Sequence, residues 1–158
     1  MPLFDRLYNL AHWLTQNREE AEDLLQETYT KALKGFSSFQ PGTNFRAWIY
    51  RILRNTFLTS RTGLKTFEPL DETEGDAAGI AEHTPESILL RQFDQEMVRK
   101  AIDELPVLYR EALLLYEMEE MSYQEIVAAL GVPIGTVMSR LSRARRMLRD
   151  NVRRLQDG

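Results

Sequence analysis

Ser122 and Glu125 head the stretch SYQEIVAALGVPIGTVMSRLSRARRMLR. At this S-x-x-E spacing a hydroxyl and a carboxylate can each satisfy the other's orphan backbone N–H at a helix start. Downstream, Gly135, Ser139, Ser142, Arg143 and Arg146 fall on one side of a helix at roughly 100° per residue. The chemistry open to them is recognition: serine hydroxyls bond base edges or phosphates, arginine forks onto guanine, and glycine lets a backbone approach closely. Val137, Leu141, Ala144 and Leu148 fall on the other side and predict packing against a preceding helix carrying Ile126, Val127 and Leu130. Gly131-Val132-Pro133 separates the two, because Gly accepts a left-handed cap and Pro cannot donate a helical bond. The order predicts a helix-turn-helix whose second helix, from about Ile134, reads duplex DNA.

A second set lies in Phe45 to about Arg61. Tyr50, Arg51, Arg54 and Arg61 share one helical face, with Asn55 at its edge, and Phe45, Trp48, Ile49, Ile52, Leu53 and Phe57 form the expected core stripe. Aromatic rings interleaved with guanidinium groups suit single-stranded nucleic acid, where every base offers a face and every phosphate a charge. A third set is acidic. Glu19, Glu22, Asp23, Gln26 and Glu27 lie opposite the apolar stripe of Ala21, Leu24, Leu25, Thr28, Ala32 and Phe36. No histidine joins these carboxylates and their spacing fits no ligand loop, so a solvated or partner-facing surface is expected and no metal. The two histidines, His12 and His83, have no carboxylate or serine at catalytic spacing, and no phosphate loop, nucleophile motif or zinc pattern is present. Neither catalysis nor a cofactor is expected.

The elements that must position these sets are all helical. Leu3, Phe4, Leu7, Leu10, Ala11 and Leu14 repeat at helical spacing, and Asn17 then caps a second helix with acid in its first turn. Ser37 to Asn44 is a loop ended by Pro-Gly and an Asx/Thr cap. From Thr62 to His83 the periodicity stops, and glycines among acidic residues read as a flexible acidic linker. Thr84-Pro85-Glu86 restarts helix, carried by Ile88, Leu89, Phe93, Met97, Ala101 and Leu105 to Pro106. A Leu-rich helix from Val107 to about Glu119 leads into the helix-turn-helix. The fold class is therefore all-α: two small helical domains on a tether.

The charge is divided along the chain. The net −4 over 158 residues hides +2 in residues 1–61, −11 in 62–125 and +5 in 126–158. The basic excess coincides with the second helix of the helix-turn-helix. A hydrophobic fraction of 43% supports a packed core, and nothing is long enough to span a membrane. The absence of cysteine excludes disulfides and thiolate metal sites. No N-terminal segment has the charge, apolar run and cleavage site of a signal peptide, so the expected location is cytoplasmic.

Three segments in this order resemble the extracytoplasmic-function (ECF) sigma factors, the smallest class of the bacterial sigma-70 family. AEDLLQETYTKAL (Ala21–Leu33) is similar to the family's region 2.2, FRAWIYRILRN (Phe45–Asn55) to its promoter-melting regions, and Leu105–Leu148 to region 4. The resemblance implies a region 2 helical bundle over 1–62, a linker over 63–83 and a region 4 helix-turn-helix over 84–158. It implies a transcription initiation factor that binds core RNA polymerase and directs it to −10 and −35 promoter elements. Asp23, Gln26 and Glu27 would dock on the β′ clamp helices, and the second domain would meet the β flap. Phe39 to Asn44, with Tyr50, Arg51, Arg54, Asn55 and Arg61, would hold the opened −10 strand. Thr136, Met138, Ser139, Ser142, Arg143 and Arg146 would face the −35 duplex, flanked by Arg140 and Arg145 near phosphates. Met138 stands where many relatives carry Lys or Arg, and the family's N-terminal segment is short here. An anti-sigma factor is an expected further partner. The alternative is a stand-alone dimeric helix-turn-helix regulator, which leaves the Tyr/Arg face of Phe45 to Arg61 unexplained and lacks visible dimerisation heptads.

Overall fold

The computed structural model describes residues 3–39, 44–60 and 95–157, and every regular element among them is helical. Helix α1 (Leu3–Thr15) and helix α2 (Arg18–Gly35) are separated by Gln16, whose φ is +56°, and by Asn17. Asn17 is extended, and its Oδ1 accepts the Glu20 N–H at 3.0 Å, the expected N-cap. The chain then tightens into a 3₁₀ turn, Phe36–Ser38. Helix α3 (Phe45–Thr59) opens on Asn44, whose Oδ1 accepts the Ala47 N–H at 3.1 Å.

Helix α4 (Gln95–Asp103) ends before Pro106, and Pro106 in turn starts helix α5 (Val107–Glu117). Helix α6 (Tyr123–Leu130) begins with the full reciprocal capping box of Ser122 and Glu125. It ends at Gly131, left-handed at φ +69°, and the chain turns by 103° into helix α7 (Ile134–Asp157). That angle lies within the range of helix-turn-helix pairs.

Helices α1, α2 and α3 pack as a bundle through Leu7, Leu10, Leu14, Leu24, Leu25, Ile49, Leu53 and Phe57. Helices α4, α5 and α7 enclose a smaller core of Ala101, Leu105, Tyr109, Leu113, Leu148 and Val152. The first core does not stop at the bundle. It continues through Val107, Leu114, Leu115, Met121, Ile126, Leu130, Val137 and Leu141, because α3 lies on α6 and α1 lies on α5. The two modules therefore share one apolar interior. No single helix among the described residues is long and apolar enough to cross a membrane.

Three local expectations need correction. Phe36 does not extend the buried stripe of α2: it is 58% exposed, because α2 ends one residue earlier and the 3₁₀ turn swings its ring outward. Helix α3 stops at Thr59, where Ser60 is extended. Helix α5 stops at Glu117, and the left-handed Glu120, φ +54°, carries the chain towards α6. The expected linker, the Thr84-Pro85 helix start and Arg61 lie outside the described residues.

The turn of the helix-turn-helix depends on a residue without a Cβ. An added methyl at position 131 would occupy a disfavoured backbone region and meet Arg51 Nη2 at 3.1 Å, a contact its flexible side chain can relieve. Gly131→Ala should thus cost about 1 kcal/mol, mainly from the left-handed backbone. Urea unfolding measures it, and no loss of stability would contradict the assigned turn.

Candidate nucleic-acid interface

The capping box at the head of α6 reaches beyond its own helix. Glu125 Oε1 accepts the Ser122 N–H at 2.9 Å, and Ser122 Oγ accepts the Glu125 N–H at 3.1 Å. The other carboxylate oxygen, Oε2, accepts from Asn44 Nδ2 and lies 3.3 Å from Arg46 Nη2. One amide and one carboxylate thereby join two helix starts. Asn44 caps α3 with its oxygen, Glu125 caps α6, and the two side chains bond to each other. Arg46 Nη1 also donates to the Glu119 carbonyl at 2.8 Å, and Arg6 Nε lies 3.5 Å from the Glu119 carboxylate.

The expected single-strand face of α3 is directed at the C-terminal module. Tyr50 is 1% exposed, and its Oη donates to Glu111 Oε2 at 3.0 Å. Arg54 Nε donates to both oxygens of the same carboxylate, at 2.9 and 3.0 Å. Glu111, on α5, has no exposed surface at all. Burial pushes its carboxyl upward, while Arg54, the Tyr50 hydroxyl and the more distant Arg140 oppose that shift. Burial and then the Glu111 charge hold the Tyr50 phenol well above its ordinary value, so it remains a donor. Arg51 is exposed on α3 and passes over Gly131. Asn55 is exposed.

Of the helical face expected to be open, Arg51 and Asn55 are solvent-exposed, whereas Tyr50 is buried and Arg54 nearly so. The physical reason is Glu111, a carboxylate inside the Leu-rich run of α5 that the sequence reading did not use. An acidic residue within such a run was the available signal.

Beside α3, four aromatic rings form an open cluster. The Phe36 and Phe39 rings stack at 6.0 Å, and Phe39 lies 5.5 Å from Phe45 and 5.1 Å from Trp48. Phe36 and Phe45 keep substantial exposure and Trp48 is half-buried, so Trp48 is only partly a core residue. Exposed ring faces at the start of α3 are able to stack bases.

On α7, Val137, Leu141, Ala144 and Leu148 are buried, as the periodicity predicts. Gly135 and Arg146 are exposed, and Thr136, Met138, Ser139 and Arg143 are half-buried. Ser142 belongs with the buried residues. Arg140 and Arg145, expected as flanking phosphate contacts, are buried as well. Arg145 sits 5.2 Å over the Tyr116 ring and 4.0 Å from Glu117, so α5 supplies both a π face and a counter-charge. The acidic face of α2 is where the sequence places it: Glu19, Glu22, Asp23, Gln26 and Glu27 are all exposed.

A three-helix bundle bearing an aromatic and basic face, followed by a helix-turn-helix with an arginine-rich second helix, defines a two-module DNA-binding protein. The family models for sigma-70 region 2 and sigma-70 region 4 match residues 3–65 and 95–148. The chain is 40% identical to the ECF RNA polymerase sigma factor SigE of Mycolicibacterium smegmatis, over 92% of this chain and 57% of that protein. It is 37% identical to the ECF sigma factor EcfG of Rhodopseudomonas palustris, over 85% and 72% of the two chains. It is 32% identical to the RNA polymerase sigma factor YlaC of Bacillus subtilis, over 94% of this chain and 87% of that protein. Among solved structures, the sigma factor RpoE of Bartonella quintana, in complex with the anti-sigma factor NepR, matches with a TM-score of 0.71. It is 28% identical, with 95% of this chain and 91% of that one covered. This chain belongs to the ECF sigma factors of the sigma-70 family.

Glu125 gives the interface a pH signature. The backbone bond from Ser122 lowers its pKa most, and Asn44 and Arg46 add to it. A carboxylate lowered in the folded state contributes stability above its unfolded pKa and loses it as pH falls through the folded one. Glu125→Gln keeps an oxygen for the capping box and removes the charge and the second acceptor that meet Asn44 and Arg46. The stability difference between wild type and Glu125→Gln should therefore shrink between about pH 5 and pH 3. Chemical unfolding at stepped pH checks it, and a difference that is constant across that range would contradict the role assigned to the charge.

Proposed function

We propose that this chain recruits bacterial core RNA polymerase to promoters, acting by binding without catalysis of its own. The observation that carries the reading is the co-occurrence, in one chain, of an exposed acidic face on α2, an aromatic–basic face at α3 and a helix-turn-helix. The reading divides the chain into region 2 over 1–62, a tether over 63–83 and region 4 over 84–158. Asp23, Gln26 and Glu27 form a contiguous exposed patch suited to a basic or amide-rich partner surface, the β′ clamp helices. Region 4 would meet the β flap.

The opened −10 strand would lie along Phe39, Asn44, Tyr50, Arg51, Arg54, Asn55 and Arg61. Bases taken from the stack cost a few kcal/mol and need ring faces to receive them, which Phe36, Phe39, Phe45 and Trp48 offer. At the −35 element, Thr136, Met138, Ser139, Ser142, Arg143 and Arg146 would meet the major groove, with Arg140 and Arg145 near phosphates. The solved relative's complex with an anti-sigma factor supports a similar partner for this chain.

Two substitutions test the assignment. Arg143→Ala should weaken binding of polymerase holoenzyme to the −35 element by about 1–3 kcal/mol and relax sequence preference at one position. An equal loss on every sequence would make Arg143 a phosphate contact. Asp23→Arg should lower affinity for core polymerase by about tenfold or more through a misplaced charge, with unchanged helicity by circular dichroism. Unchanged affinity would remove the α2 face from the interface.

A further inference from the structure

We propose that α7 reads the ring methyl group of a thymine in duplex DNA, through an apolar strip formed by Met138 and Ile134. The inference rests on the assignment of α7 to the −35 element and adds the chemistry of the base it selects.

Two apolar side chains stand where a solvated helix would carry polar ones. Ile134 opens α7 and is exposed, and Met138 lies one turn further on and is half-buried. Residues four apart share one edge of a helix, so the two side chains form one strip. Among the described residues, neither belongs to an apolar core or packs against one, whereas Met147 of the same helix packs against the smaller core.

Gly135 adds a second observation. An added Cβ there would meet no atom within 4 Å, and the residue is not left-handed. Neither packing inside the chain nor the backbone requires a glycine, although glycine weakens a helix relative to alanine. The missing side chain leaves room for a surface that arrives from outside the chain. Ser139 and Arg146 beside it, and the basic excess of residues 126–158, fit that surface to an anionic duplex.

The strip sets what is read. A thioether and a branched alkyl group offer no hydrogen bond to a base edge. In the major groove, thymine alone presents a methyl group, and the other bases present donors and acceptors. An apolar contact strips those polar groups of water without replacing it, so the strip favours thymine and disfavours its competitors. Its place at the N-terminal end of α7 is the end from which a recognition helix reaches base edges.

The test uses the full chain assembled with core polymerase. The holoenzyme selects its preferred upstream sequence from a randomised duplex pool. Each thymine of the selected element, on either strand, is then replaced singly by deoxyuridine, which pairs as thymine does and lacks only the methyl group. At the thymine that Met138 reads, replacement should weaken binding by about fourfold, the effect of losing one buried methyl group. Met138→Ala should weaken binding to the unmodified duplex and show no further loss with deoxyuridine at that position, a coupling that a merely structural role would not produce. Met138→Leu, apolar and of similar volume, should keep the discrimination.

Equal binding at every deoxyuridine position would overturn the proposal, and this series needs only the unmodified chain. So would a deoxyuridine effect that persists undiminished in Met138→Ala. Lost affinity of Met138→Ala for core polymerase, with unchanged promoter preference, would make the strip a protein-contact surface and overturn it too. If the chain forms no complex with polymerase or selects no upstream sequence, the promoter assignment falls and the inference with it. If selection succeeds and only the deoxyuridine effect is missing, the assignment stands and the inference alone falls.

Discussion

A carboxylate with no accessible surface cannot stand without compensation, and Glu111 is such a carboxylate. Desolvation of an ion costs several kcal/mol, and only close opposite charge with good hydrogen bonds offsets it. Arg54 and Tyr50, both from α3, supply that compensation across the seam between the modules. Removing one partner of a buried pair typically costs about 3–5 kcal/mol, because the other charge is left stranded. The position of α5 is thereby tied to α3. With α5 held, α7 packs against its far side, and α6 lies along α3 where Asn44 and Glu125 join the two caps. The apolar core running through Leu53, Leu114, Ile126 and Val137 supplies the bulk of the contact, while the polar pairs determine which residues meet.

The two modules differ in how their charge is used. The middle of the chain is strongly acidic and the last segment basic, and the folded protein brings members of the two together. Glu117 faces Arg145, and Glu104 pairs with Arg154. The acidic face of α2, by contrast, turns outward: Asp23, Gln26 and Glu27 are exposed, and Glu27 pairs with Lys31 of the same helix at 3.6 Å. Exposed like charges on one helix face contribute little to folding. Their natural reading is association, with rate and specificity set by a complementary partner.

Local features were legible in the sequence because each is fixed within a few residues. The Asn17 cap, the Ser122–Glu125 capping box, the left-handed Gly131 and the apolar stripe of α7 all stand as their spacing predicts. So does the acidic face of α2. What periodicity cannot tell is whether a polar face looks at water or at another module. Tyr50 and Glu111 are 61 residues apart and meet only because the modules close. From α3 alone, Tyr50 and Arg54 read as an open face. From α5 alone, Glu111 reads as an interruption in a run of leucines. The same limit applies to Arg140 and Arg145, whose burial depends on neighbours the sequence pattern does not name. Phe36 fails for a different reason: a helix that stops one residue early turns a core position outward.

The promoter-directing role proposed for this chain is tested most directly by its association with RNA polymerase. The protein, mixed with purified bacterial core polymerase free of any sigma factor, is passed over gel filtration. Co-elution at one chain per core enzyme, together with promoter-dependent transcription by the isolated complex, is the predicted result. Elution apart from polymerase, with the chain binding duplex DNA alone as a dimer, would contradict the account.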